Sequence, residues 1–212
     1  MEKLENLRVM ELLSSKICHD LISPVSAIEN GLELLDKTEI DLLQTPLKLV
    51  QSSARQAAER LSFFRLMLGT GGDRDYFPMD EIYELLQSYL GHRRISMESS
   101  KLGPKYGGDL PRNAAKAVMF AVLVMTDCLP RGGMIQLSSS NWITFEETRI
   151  IAQGEPCRLR QDVKSGLDTH VDQADLTVRN VIAYMATVFF GHMNKRLELN
   201  EISETEIELI AI

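Results

Sequence analysis

The sequence predicts an α+β protein in two parts. Residues 1–70 read as a long helical hairpin that pairs with a second copy into a dimeric four-helix bundle, and residues 73–212 read as an α/β sandwich. Three observations carry this prediction. Apolar residues recur at helical spacing over two long segments joined by a short link. Gly69, Gly71 and Gly72 end the second of these segments. Beyond the glycines, helix-like runs alternate with strand-like ones.

The first helix is expected over 4–36, where Met10, Leu13, Ile17, Leu21, Ile28, Leu32 and Leu35 fall at steps of three, four or seven, with Pro24 on the same stripe. The second is expected over 40–68, through Leu43, Leu47, Val50, Ala54, Ala57, Leu61, Phe64 and Leu68. The link near 36–41 is too short for anything but an antiparallel hairpin. One hairpin cannot bury both stripes, so the pattern predicts a homodimer. Past the glycines the expected order is a helix (79–89), a strand (94–98), a Gly/Pro-rich loop and a helix (111–129). Two strands (134–139 and 142–152), a helix (174–190) and a final hairpin (194–200 and 205–212) complete it. Helices interleaved with mostly antiparallel strands suggest helices on one face of a sheet.

Composition narrows the function. The chain has 212 residues, 44% of them hydrophobic and 25% charged, in the ordinary globular range. A net charge of −7 argues against a nucleic-acid partner, which calls for a basic face. Cys18, Cys128 and Cys157 are scattered and odd in number, giving neither a disulfide framework nor a zinc pair. The N-terminus is broken by charges and does not read as a signal peptide, and no window suggests a membrane span. The expectation is a soluble cytoplasmic protein without a membrane partner.

One residue stands out. Winding the first helix at about 100° per residue puts His19 roughly 170° from the centre of the apolar stripe. Ser15, Ser23, Ser26 and Asn30 share its face, with Ile22 at the margin. An isolated histidine of this kind is usually a plain surface residue. Here Asp20 is adjacent, and Pro24 interrupts the helix at a cost on the order of 3 kcal/mol, a feature the plain reading leaves unexplained.

The run Ser15-Lys16-Ile17-Cys18-His19-Asp20-Leu21-Ile22-Ser23-Pro24-Val25-Ser26-Ala27-Ile28 resembles the H-box of two-component histidine kinases. With Asn30-Gly31-Leu32-Glu33-Leu34-Leu35 and Ser53-Ala54-Arg55-Gln56-Ala57-Ala58-Glu59-Arg60-Leu61, it is similar to the ChpT-type histidine phosphotransferases of alphaproteobacteria. The likeness is strong over residues 10–70 and only at the level of pattern from 73 onward, where the topology resembles a histidine-kinase ATPase (Bergerat) domain. Imidazole suits phosphoryl carriage because it is largely neutral and nucleophilic near pH 7. The resemblance implies that His19 carries the phosphoryl group, with Asp20 orienting the ring or accepting its proton. It implies a docking face of Ser15, Ile22, Ser23, Ser26 and Arg55. The partners would be the receiver domain of a CckA-like hybrid kinase and the receivers of CtrA-like and CpdR-like response regulators, and Mg²⁺ would sit on the receiver, leaving this chain without a metal or bound cofactor.

A working ATPase domain of that type needs an Asn-rich helix and an adenine-reading Asp. The corresponding helix, residues 120–133, has no asparagine, and Ala152 falls where the Asp belongs. Gly107-Gly108 and Gly132-Gly133 are isolated pairs, not a phosphate cradle. Nucleotide binding is therefore not expected. Two alternatives to the relay remain at this stage: an ATP-dependent sensor kinase with an unusual nucleotide site, and a non-catalytic adaptor that docks receivers. Elsewhere, Asp127 reads as a helix-end residue and His92, Arg93 and Arg94 as a solvated loop. His170 and His192 show no ligand spacing. Trp142, Val181, Met185, Val188 and Phe189 read as core.

Overall fold

The computed structural model describes residues 2–37, 43–69, 74–98 and 108–212, with side chains from residue 7 onward. Most of the expected hairpin link, Gly71, Gly72, and the Gly/Pro-rich loop with Gly107 lie outside the described residues.

Helix α1 spans Glu2–Lys37 and runs unbroken through Pro24; helix α2 spans Gln44–Leu68. They are antiparallel, because Gly31 faces Pro46 and Val50 while Asp20 faces Arg60. The absence of a side chain at Gly31 permits the close approach: a Cβ there would lie 2.6 Å from Val50 Cγ2. Within the single chain the hairpin leaves much of its apolar surface bare. None of the seven apolar residues of the α1 stripe is fully buried, and Met10 and Leu32 are 64% and 49% exposed. On α2, Phe64 is buried while Leu47 and Leu61 are exposed.

In the second part, the short strands β1 (Tyr76–Pro78) and β3 (Asp109–Pro111) pair antiparallel. Each ends in a proline that leads straight into a helix, α3 (Met79–Gly91) and α4 (Arg112–Thr126). Proline's fixed φ suits that entry. The five-stranded sheet runs β2 (Ile95–Glu98), β4 (Gly133–Ser138), β5 (Thr148–Gln153), β7 (Glu206–Ala211) and β6 (Leu197–Ser203). Only the β2–β4 pair is parallel. Along β5, Thr148, Ile150 and Ala152 are buried and Arg149 is exposed, as expected of a sheet covered on one face.

Helix α4 is the centre of the core. From Ala114 to Thr126 every residue but Lys116 is buried, so the helix is enclosed on all sides. Helix α6 (Val181–Gly191) packs on it, with Phe120 and Phe189 stacked at 5.4 Å. The short helix α5 (Gln161–Lys164) continues into a 3₁₀ turn, Ser165–Leu167. The hairpin leans on this part at both helices. Arg8 donates to the Leu176 carbonyl (3.3 Å), and Phe63 of α2 stacks on Tyr89 of α3 at 4.2 Å.

Two expected elements are shorter than their apolar pattern implied. The strand expected over 142–152 starts only at Thr148. Before it, Asn141 Oδ1 accepts from the N–H groups of Ile143 and Thr144, and Phe145 and Glu147 have positive φ, which no strand accommodates. The helix expected from 174 starts at Val181, because Asn180 Oδ1 folds back to accept from the Thr177 N–H (2.7 Å). Trp142 and Val181 are buried as expected, whereas Met185, Val188 and Phe189 are half-buried. The pair β1 and β3 was too short to register as periodicity.

Candidate functional site

His19 lies in the middle of α1 with its side chain 82% exposed. Ser15, Ile22 and Ser23 beside it are exposed and Ser26 is half-buried. One residue on, about 100° around the helix, Asp20 turns to the inner face and is buried. Adjacent in sequence, the two residues occupy opposite environments, and the carboxylate bridges them.

The two carboxylate oxygens of Asp20 face different neighbours. Oδ1 takes Lys16 Nζ, one turn earlier on α1, at 3.4 Å and His19 Nδ1 at 3.3 Å. Oδ2 accepts from the Tyr89 hydroxyl at 3.3 Å and pairs with Arg93 Nη2 at 3.6 Å. A carboxylate only accepts, so a hydrogen bond from His19 requires the proton on Nδ1. That tautomer leaves the Nε2 lone pair free on the exposed side of the ring.

Pro24 has a consequence for the same residue. In a regular helix its N–H would bond the carbonyl of Asp20, and proline has none. Arg60 of α2 donates to that carbonyl instead. The proline thus opens an acceptor that fastens the two helices together beside His19.

Tyr89 belongs to the last turn of α3 and Arg93 follows that helix. Burial pushes the Tyr89 hydroxyl up to about 12, so it stays protonated at neutral pH and can donate. Arg93 donates from Nη2 to that hydroxyl (3.1 Å) and from Nη1 to Thr126 Oγ1 (3.4 Å), and lies over the Tyr89 ring at 5.2 Å. The solvated-loop reading is therefore corrected for Arg93, while His92 and Arg94 are exposed in a turn as that reading expects. Arg93 turns inward to Asp20, and His92 Nε2 meets Glu59 of α2. Arg94 takes a positive φ of 58°.

Arg55 is exposed on α2. It stands five residues before Arg60, about 140° around the helix, and shares a face with Glu59. The bonds that gather about Asp20 do not include it.

The positions that would serve a nucleotide offer little polar chemistry. Phe120–Thr126 is buried, Asp127 caps the helix end, and Ala152 is wholly buried with its carbonyl accepting from Cys157 Sγ (3.3 Å). Burial pushes the Cys128 and Cys157 thiols up, which keeps them protonated and inert. Among the described residues there is no group of three or more His, Cys, Asp or Glu side chains that could hold a metal, and no helix long and apolar enough to cross a membrane.

The family model of the histidine phosphotransferase C-terminal domain matches residues 79–205. Protein phosphotransferase ChpT of Brucella abortus (strain 2308) is 33% identical over 151 residues, which cover 70% of this chain and 68% of that protein. A bacterial phosphotransferase solved at 1.7 Å superposes with a TM-score of 0.78 at 25% identity, over 97% of this chain and 96% of that one.

Proposed function

Given that the chain belongs to the ChpT-type histidine phosphotransferases and acts as a phosphotransferase in a two-component phosphorelay, we propose that His19 is its phosphoryl carrier and Asp20 its helper. The observation that supports this most is the division of labour within one imidazole. Nδ1 reaches a buried carboxylate while the rest of the ring stands 82% exposed. Nε2 attacks the phosphorus of an aspartyl phosphate on a receiver domain. A P–N bond forms, the aspartyl P–O bond breaks, and the receiver recovers its carboxylate. Nδ1 keeps its proton, and Asp20 stabilises the positive charge that develops on the ring without bonding phosphorus. A second receiver's aspartate then takes the phosphoryl group by the reverse exchange.

Receivers dock on the exposed face of α1 around Ser15, Ile22, Ser23 and Ser26, with Arg55 on α2. The donor is the receiver of a CckA-like hybrid kinase, and the acceptors are CtrA-like and CpdR-like response regulators. Mg²⁺ comes with the receiver, so this chain supplies no metal ligands of its own. ATP is not the phosphoryl source, a reading supported by the apolar packing of Phe120–Met125 and Ala152 where a nucleotide would call for polar side chains. The chain works in the cytoplasm as a homodimer. The bare apolar stripe of α1, with Met10 and Leu32 both more than two-fifths exposed, supports the pairing.

Transfer from a phosphorylated receiver domain, followed by mapping of the modified residue, tests the carrier role. Label is expected on His19, and none on His19→Ala. A His19→Ala variant that relays phosphoryl groups between two receivers at the normal rate refutes it.

A further inference from the structure

Tyr89 and Arg93 come from the second domain and bond Asp20, not His19, so both hold the carboxylate that His19 needs. The χ2 torsion of an aspartate is broad and nearly two-fold, so contact at one oxygen leaves the carboxylate plane free to turn. Lys16 competes with His19 for Oδ1, at 3.4 Å against 3.3 Å. Were Oδ2 free, the carboxylate could swing onto Lys16 and release the imidazole. Oδ2 is not free: it accepts from Tyr89 and pairs with Arg93.

The polarity of this chain of bonds is fixed by what each group can do. Arg93 has only donors, so the Tyr89 oxygen must accept from it and spend its own proton on Asp20. All four groups around the carboxylate are then donors, and His19 is the one among them whose proton position can vary. Arg93 is itself anchored by Thr126 Oγ1, and the Tyr89 ring by its stack on Phe63. The crevice among Lys16, Tyr89, Arg93, Leu123 and Thr126 has a volume of about 10 Å³, room for a water at most. Asp20 itself is 6% exposed, and its Oδ2 side is occupied by Tyr89 and Arg93.

We propose that Tyr89 and Arg93 are positioning residues of the phosphoryl-transfer site, locking the Asp20 carboxylate from the second domain so that His19 is held with its Nε2 lone pair outward. On this view the second domain, besides bracing the hairpin, sets the reactivity of the carrier. The proposal rests on His19 being that carrier.

The test uses the full-length chain as wild type, Tyr89→Phe, Arg93→Met, Arg93→Lys and His19→Ala. Phosphoramidate charges a histidine without a protein partner, and a phosphorylated receiver domain is the second donor. Tyr89→Phe and Arg93→Met are expected to slow charging of His19 by both donors about tenfold, the effect of losing one hydrogen bond to a charged group. In both, the ¹⁵N signals of the His19 ring are expected to move toward the Nε2–H form, and Arg93→Lys is expected to recover part of the rate. Tyr89→Phe keeps the ring on Phe63 and carries the test alone if Arg93→Met does not fold. Wild-type charging by phosphoramidate with an unchanged ¹⁵N signature overturns the proposal, as does slowing with the receiver donor only, which assigns both residues to docking. His19→Ala separates the two readings: if it still becomes charged, the carrier assignment falls; if it does not, an unaffected Tyr89→Phe refutes positioning alone.

Discussion

Replacing Asp20 by asparagine is expected to slow phosphoryl transfer more than replacing it by alanine, although asparagine is the closer match in shape. The carboxylate is surrounded by donors: Lys16 and His19 on Oδ1, Tyr89 and Arg93 on Oδ2. Asparagine offers one acceptor and one NH₂ group. Its oxygen belongs toward the Arg93 cation and the Tyr89 hydroxyl, which turns the NH₂ toward His19. Nδ1 must then accept, the ring proton moves to Nε2, and the attacking lone pair is lost. Restoring it means breaking that bond, at about 1 kcal/mol. Both variants also lose the negative charge that steadies the developing imidazolium, worth about 1–2 kcal/mol beside so exposed a ring. The totals, about 2–3 kcal/mol for asparagine and 1–2 for alanine, correspond to slowing of about 30- to 150-fold and about 5- to 30-fold. Single-turnover transfer from a phosphorylated receiver, at a temperature where both variants are folded, measures the ratio. An asparagine variant as fast as the alanine variant, or faster, refutes the assignment of the Nδ1 proton.

The remaining predictions concern the scaffold. Gly31→Ala gains about 1 kcal/mol of helix propensity but drives a methyl group to 2.6 Å from Val50 Cγ2. Overpacking of that kind costs about 1–3 kcal/mol, so urea unfolding should show a net loss. With Val50→Ala in the background the same change should stabilise. Met10→Glu and Leu32→Glu on the bare stripe of α1 should halve the mass seen by light scattering at micromolar protein if the bundle is dimeric. Arg74 bonds Glu81 through both carboxylate oxygens and holds its pKa below the usual carboxylate value of 4.5. The stabilisation is then present above that value and lost as pH falls through the depressed one. Melting curves of wild type and Arg74→Ala should differ slightly at pH 7 and converge in acid.

Long periodic elements were legible because one stripe of side chains decides them. The two hairpin helices, α3, α4 and the strands β2 and β4 lie where the spacing puts them, within a few residues. The misplaced boundaries fail for a shared reason. Apolar residues continued past the point where a short polar side chain folded back on the backbone, Asn141 ahead of β5 and Asn180 ahead of α6. Such local bonds compete with the helix and the sheet without altering the apolar pattern. The α1 stripe is only partly covered within one chain, as the expectation that a lone hairpin cannot bury it requires: Leu13, Ile17 and Leu21 pack against the core while Met10 and Leu32 stay exposed.

The site divides along the same line. The exposure of His19 follows from helical winding, and so does the burial of Asp20, since one step of about 100° carries it to the inner face. Lys16 was within reach of the same reasoning as an i,i+4 partner of Asp20. Arg60 had a signal too, because a proline in mid-helix leaves the carbonyl four residues earlier in need of a donor, though nothing local says which residue supplies it. Tyr89 and Arg93 had none, being separated from Asp20 by about seventy residues of chain. Read locally, Arg93 is one of a cationic trio in a turn, and only the packing of α3 against α2, through Phe63 on Tyr89, aims it inward. Under the proposed carrier role of His19, Tyr89 and Arg93 are thus the site residues whose placement depends on the two parts being docked. A substitution in the α2–α3 seam that leaves each part folded should accordingly impair transfer before it impairs stability.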